Sequence, residues 1–149
     1  MGLLETHPES AMSSKYLVGY DGSESAQRAF ELALKLARAD GGNVRAVTAL
    51  RTTEAGSESC AMMMTDASSQ RARDMLDVLK AGSGDMTTRV ETELVYGSPG
   101  DVLTAQVEQH DIDHVIIGHT GHGSLARWLL GSVSEDIVAR ARVPVTIVR

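Results

Sequence analysis

Short apolar runs alternate along this chain with longer segments in which apolar residues stand three or four positions apart. The runs are typical of buried strands and the spaced segments of amphipathic helices. The pattern predicts five strands, at residues 16–20, 44–50, 89–96, 114–117 and 143–148. Residues 51–67 show no regular period, and we expect a long loop there.

Each predicted helix is marked by an apolar face and by residues that begin or end it. Gly41-Gly42 ends the first helix, the Gly82–Gly84 turn ends the second, and Ser98-Pro99 begins the third as N-cap and first-turn proline. A last helix is predicted from about Ser132 to Arg140. The inward-facing residues are Ala26, Phe30, Ala33, Leu34 and Ala37, then Ala72, Met75, Leu76 and Leu79, then Val102, Leu103 and Val107, and finally Val133, Ile137 and Val138.

Strands that alternate with helices in this order predict an α/β fold with a parallel sheet. We expect a Rossmann-like, doubly wound, five-stranded sheet, an open α/β sandwich, formed by a single domain at 15–149. Residues 1–14 are interpreted as a disordered tail or one introduced by cloning. Ligands of such sheets bind beyond the carboxyl ends of the strands, where the strand order reverses. Asp21, Ala49 and Gly118 all lie just past or near such ends.

Composition narrows the classes of protein that this chain can represent. Its 149 residues are 42% hydrophobic and 23% charged, as in ordinary globular domains. No apolar run reaches the length of a membrane span, and the net charge of −6 argues against nucleic acid as a partner. The single Cys60 and the lack of a secretory signal at the start favour the cytoplasm.

A glycine-rich segment follows the fourth predicted strand and carries the main functional signal. Its glycines are spaced Gly118-x2-Gly121-x9-Gly131, and Ser132, Val133 and Ser134 follow directly. Glycines let backbone approach a ligand closely, and a helix that starts at Gly-Ser presents free N–H groups to phosphate. The alternative without a ligand is that Gly118 and Gly121 are loop glycines with positive φ.

This segment resembles the G-2x-G-9x-G-(S/T) signature of the ATP-binding branch of the universal stress protein family. The resemblance covers nearly the whole chain, through Asp21-Gly22-Ser23, Gly97-Ser98-Pro99 and Val143-Pro144-Val145. It implies ATP with Mg²⁺ as ligand, a stress-response or signalling role, and at most slow hydrolysis or autophosphorylation. It assigns no catalytic residue and no metal ligand. The nucleotide-binding residues that it implies are Gly19, Tyr20, Asp21, Ala49, Ile117, Gly118, His119, Gly121, His122, Gly131, Ser132, Val133 and Ser134.

Within that resemblance, Asp21 would lie beside adenosine, Ala49 would meet adenine, and the glycine segment would surround ribose and phosphates. Asp21 can also be interpreted as a turn residue without a ligand, because Asp-Gly is a common turn pair. A carboxylate here could bind ribose hydroxyls or help to hold a metal, and the sequence does not choose between these roles. The chain also departs from the family, with His119 where an arginine or lysine is usual and Thr48 where many relatives have histidine.

The two histidines of the glycine segment allow other interpretations. His119-Thr120-Gly121-His122 resembles the H-x-G-H signature of nucleotidyltransferases, although that motif follows the first strand in those enzymes. Zinc binding by His119 and His122 lacks a visible third ligand. A nucleotidyl-transfer enzyme, or a structural stress dimer without nucleotide, therefore remain the alternative hypotheses.

The last predicted strand should lie at an edge of the sheet, where a run of Val and Ile is an aggregation hazard unless covered. Relatives in the family dimerise through this strand, and we expect a homodimer here. Thr146 and Val148 are the residues that we expect a second copy to cover, with Pro144 near the start of the strand.

Overall fold

A computed structural model describes residues 14–51, 58–119 and 137–149, without the side chains of 58–66. The predicted tail lies outside these ranges except for Ser14. Six of the predicted binding positions also lie outside them, namely Gly121, His122, Gly131, Ser132, Val133 and Ser134.

The described elements follow the alternation that the sequence predicts. In chain order they are β1 (Lys15–Gly19), α1 (Glu24–Asp40), β2 (Asn43–Leu50), α2 (Glu58–Ala81), a 3-10 helix (Gly84–Arg89), β3 (Val90–Tyr96), α3 (Pro99–Gln109), β4 (His114–Gly118) and β5 (Val145–Val148). Residues 137–140 are also helical.

The strands form one sheet in the order β3-β2-β1-β4-β5, and every pair is parallel. This confirms the predicted α/β, doubly wound architecture. The chain winds outward from β1 to β3 and then returns to the other side of β1, so the order reverses between β1 and β4. Because crossovers between parallel strands are almost always right-handed, we expect α1 and α2 on one face of the sheet and α3 on the other. The fully buried centre of the core includes Leu17, Val18, Ile116 and Ile117.

Helix α1 has the capping residues and the buried face that the sequence predicts. Ser23 is the N-cap, and its Oγ accepts a hydrogen bond from the Ala26 N–H at 3.1 Å. Gly41 ends the helix in the left-handed region with φ 76°. The inward-facing residues are buried as expected, namely Ala26, Phe30, Ala33, Leu34 and Ala37.

Two local predictions, the loop at 51–67 and the start of the last strand, were wrong in their bounds, and the N-cap predicted at Ser98 was confirmed only in its position. The loop predicted at 51–67 is helical from Glu58 onward. Alanine, methionine and glutamate favour helix there, although a run of three methionines hides the amphipathic period. Ser98 stands at the N-cap of α3, but its side chain makes no capping hydrogen bond. Strand β5 begins only at Val145, directly after Pro144, which lacks the N–H that a strand interior needs.

Strand β5 lies at an edge of the sheet, as predicted, but its exposed residue differs from the prediction. Ile147 is 40% exposed, whereas Val145 and Val148 pack against the core. The Thr146 hydroxyl lies 2.7 Å from Nε2 of His114 on the neighbouring strand. A lysine at Thr146 or Val148 would therefore disturb the subunit itself, and Ile147 is the better position at which to probe an edge contact.

Candidate functional site

The predicted binding residues that lie within the described ranges come together at the carboxyl edge of the sheet. The register pairs Gly19 of β1 with Val47 on one side and with Ile117 on the other. The chain beyond these paired positions therefore leaves the sheet at the same level on three neighbouring strands. Tyr20, Asp21, Ala49, Gly118 and His119 are the candidate residues placed there.

Asp21 is buried, with 4% of its surface exposed, and it organises the turn that leads into α1. Its Oδ1 accepts a hydrogen bond from the Ser23 N–H at 3.0 Å, and Gly22 between them has φ +84°. This is the turn that is expected if Asp21 acts as a turn residue. A carboxylate held in this way also keeps a fixed position at the reversal of strand order, where these folds bind ligands.

Tyr20 contributes main chain, rather than its ring, to this edge. The Tyr20 ring packs edge-on against Phe30 at 6.5 Å between centroids, and its hydroxyl donates to Oε1 of Gln27 at 2.9 Å. Burial, together with the charges of Asp21 and Glu31, raises the pKa of Tyr20. The side chain therefore belongs to the packing of α1, and only the peptide groups of Tyr20 face β2.

Gly118 is a glycine because α1 packs directly against it. A Cβ at this position would lie 2.4 Å from Oγ of Ser25, 2.7 Å from the Ser25 carbonyl carbon and 2.8 Å from the Ala26 nitrogen. Its φ is not among the positive values found at Gly22, Gly41, Gly84 and Gly97. The loop interpretation with positive φ is thus wrong for Gly118, and its missing side chain makes room for a helix in the same protein.

His119 continues the main chain just past β4. Its N–H donates to the Val148 carbonyl at 2.8 Å, and the residue is exposed. Its imidazole is therefore placed at the carboxyl edge and is available to solvent. His122 and the remainder of the glycine segment lie outside the described residues, so their contacts with phosphate stay a prediction.

Sequence reasoning assigned no structural role to three buried polar residues at this edge. Ser23, Ser25 and Thr48 are 2%, 2% and 0% exposed. The capping role of Ser23 could have been recognised, because Ser is a preferred N-cap residue and Glu24 follows it. The contact of Ser25 with Gly118 and the bond of Thr48 to the Tyr20 carbonyl depend on which strands are neighbours, and no local pattern carries that information.

Two kinds of feature are absent from the described residues. No group of three or more His, Cys, Asp or Glu side chains in those residues is placed to hold a metal ion. None of the helices in the described ranges is long and apolar enough to cross a membrane.

The model of the universal stress protein family matches residues 12–149. The chain belongs to this family. A Staphylococcus aureus protein named as a universal stress protein is 30% identical over 137 residues, which cover 89% of this chain and 82% of that protein. Nucleotide recognition by relatives is documented in at least one solved structure, a universal stress protein in complex with cAMP, at 28% identity and TM-score 0.65, covering 92% of this chain and 97% of that one.

The fold agrees with solved members of the family as well. The universal stress protein UspA from Lactobacillus plantarum superposes with a TM-score of 0.79 at 26% identity, over 91% of this chain and 97% of that one. The candidate edge therefore belongs to a fold in which a relative holds an adenine nucleotide.

Proposed function

We propose that this universal stress protein binds ATP together with Mg²⁺ at the carboxyl edge of the sheet, between β1 and β4. In this proposal it is a cytoplasmic, nucleotide-dependent stress-response or signalling module. The observation that carries the proposal is the convergence of Asp21, Ala49 and the Gly118-His119 strand end at the reversal of strand order. The solved relative in complex with cAMP supports an adenine nucleotide as the ligand.

The described residues fit the nucleoside half of such a ligand. Ala49 offers peptide groups for a base, and the buried carboxylate of Asp21 can accept hydrogen bonds from ribose hydroxyls or contact Mg²⁺. The close contact between Gly118 and Ser25 leaves no space for a phosphate between β4 and the start of α1. The phosphates would therefore extend over His119, in the direction of the glycine segment.

The variant Asp21→Asn tests whether Asp21 binds the ligand or serves only the turn. Asparagine keeps the side-chain oxygen that accepts from the Ser23 N–H but removes the charge. Calorimetric titration of the purified chain with ATP and Mg²⁺ should show binding that weakens about ten-fold or more in this variant, the size of one charged hydrogen bond. Unchanged affinity in Asp21→Asn would leave Asp21 as a turn residue, and a parent that binds no adenine nucleotide would refute the proposal.

The bond of ATP that is broken separates the alternative functions. A nucleotidyl-transfer enzyme that used His119 and His122 would move the AMP group from the α-phosphate of ATP to an acceptor hydroxyl, phosphate or carboxylate and release pyrophosphate, whereas the proposed module would release little phosphate of either kind. Incubation of the protein with ATP, Mg²⁺ and candidate acceptors of these three classes, followed by assays of pyrophosphate and inorganic phosphate, distinguishes them. A structural dimer without nucleotide would give neither product and no binding.

We also propose that two copies pair through β5. Both β3 and β5 are edge strands, but β3 carries Glu91 and Glu93, and charges of this kind protect an edge from pairing. Strand β5 has no charged residue and exposes Ile147. Ile147→Lys should convert a dimer into a monomer in sedimentation equilibrium while ATP binding persists. A parent that sediments as a monomer at micromolar concentration would refute the pairing.

A further inference from the structure

Thr48 makes an unusual hydrogen bond at the point where β1 ends. Its side chain is fully buried, and its Oγ1 donates to the Tyr20 carbonyl at 2.7 Å. Tyr20 lies one residue past β1, and its own N–H donates to the Val47 carbonyl at 2.9 Å. In a regular parallel ladder the Tyr20 carbonyl would next accept from the main-chain N–H of Ala49. Among the described residues, no backbone hydrogen bond joins Tyr20 and Ala49 in this way.

The peptide groups of Ala49 point toward the side of β1. The N–H and C=O of one strand residue share a side of the strand, and the side alternates from each residue to the next. The Val47 carbonyl faces β1, where it accepts from Tyr20, and the Leu50 carbonyl faces β3, where it accepts from Gly97. Ala49 therefore directs both of its peptide groups toward the gap that opens where the chain turns away at Asp21.

From these bonds we infer that Thr48 is a positioning residue for the nucleotide base. Its hydroxyl takes the place of the Ala49 N–H at the Tyr20 carbonyl, so that the donor and the acceptor of Ala49 stay available to a ligand. The same bond fixes the main chain directly before Asp21. This inference rests on the proposed nucleotide site and adds Thr48 to the residues that serve it.

One donor beside one acceptor on a strand edge discriminates between purines. Adenine presents N1 as acceptor and its N6 amino group as donor, which complements the N–H and C=O of Ala49. Guanine presents the reverse, an N1–H donor and the O6 acceptor. Such a mismatch leaves both peptide groups unpaired, and a buried unpaired polar group is costly. Thr48 thereby contributes to the preference for adenine without touching the base.

Thr48→Val removes the hydroxyl at nearly constant shape, and Thr48→Ser retains it. Thr104→Val is the matched control, because Oγ1 of Thr104 also donates to a backbone carbonyl, that of Gly100, at 2.7 Å but within α3. We expect Thr48→Val to weaken ATP binding about ten-fold and to reduce the ratio of ATP to GTP affinity, the effect of one lost hydrogen bond. Thr48→Ser and Thr104→Val should stay within about two-fold of the parent.

Amide hydrogen exchange without nucleotide tests the geometry independently of binding. The Ala49 N–H should exchange faster than the N–H of Tyr20 in the parent and in Thr48→Ser. In Thr48→Val it should slow, because the Tyr20 carbonyl would then accept from it. Slow Ala49 exchange in the parent, or affinity and purine preference unchanged in Thr48→Val, would overturn the inference. Equal losses in Thr48→Val and Thr104→Val would also overturn it, since they would report stability alone.

A failure of the proposed function gives a different pattern. A parent that binds no purine nucleotide, but whose Ala49 amide exchanges fast and slows in Thr48→Val, would refute the nucleotide site and the role of Thr48 in it. The same result would leave the hydrogen-bond substitution itself confirmed.

Discussion

Replacing Gly118 with alanine tests whether this glycine serves the packing of α1. The added Cβ would lie 2.4 Å from Oγ of Ser25, and that side chain could rotate away. It would also lie 2.7 Å from the Ser25 carbonyl carbon and 2.8 Å from the Ala26 nitrogen, and these main-chain atoms can move only if the start of α1 moves. Ser25 and Ala26 lie in the first turn of that helix, so the displacement would reach the Asp21 turn.

The expected cost follows from this geometry. Overpacking that shifts backbone costs about 1–3 kcal/mol, and in a chain of this length each kcal/mol lowers the melting temperature by about 2–4 °C. Gly82→Ala is the matched control, because its Cβ would come no closer than 3.4 Å to the Val78 carbonyl oxygen. Urea unfolding of the parent and both variants, read by circular dichroism, should show a loss for Gly118→Ala that Gly82→Ala does not share.

Equal unfolding free energies for Gly118→Ala and the parent would refute the packing explanation. If the loss is found, it changes how ligand binding by such variants is interpreted. In Gly118→Val the added side chain would collide first with α1, so weaker nucleotide binding in that variant would not by itself place phosphate beside Gly118.

Three further predictions concern ionisable side chains. If His119 or His122 supports phosphate with a positive charge, ATP affinity should fall in a double His→Asn variant, because asparagine carries no charge. Burial lowers the pKa of His114 from its usual 6.5, so unfolding free energy should decline as pH falls below about 6.5, and less so in His114→Gln. The Arg45 side chain is only 13% exposed and pairs with two glutamates of β3, so Arg45→Ala should lower the free energy of unfolding by about 1–3 kcal/mol. Arg38 pairs with Asp85 at an exposed position, and Arg38→Ala should lower it far less. Urea unfolding of both variants measures the difference.

Local sequence patterns predicted the fold well where the boundary of an element depends only on residues close to it in sequence. Apolar runs located all five strands, and Gly41 located the end of α1, because both signals depend only on neighbouring residues. The same method failed at residues 58–67. A helix there is favoured by the propensity of its residues, while the apolar positions do not repeat with a helical period. Propensity summed over that window was the better signal than periodicity.

The site was predictable in location but only partly in role. Parallel strands bring their carboxyl ends to one edge, so the positions of Asp21, Ala49 and Gly118 followed from the element order alone. What each residue does there depends on strand neighbours that are distant in sequence. Gly118 touches α1 because β4 lies beside β1, and Thr48 reaches Tyr20 because β2 lies on the other side. The Asp21 turn is thus held from both neighbouring strands, and a substitution in either strand can alter nucleotide binding without contacting the nucleotide.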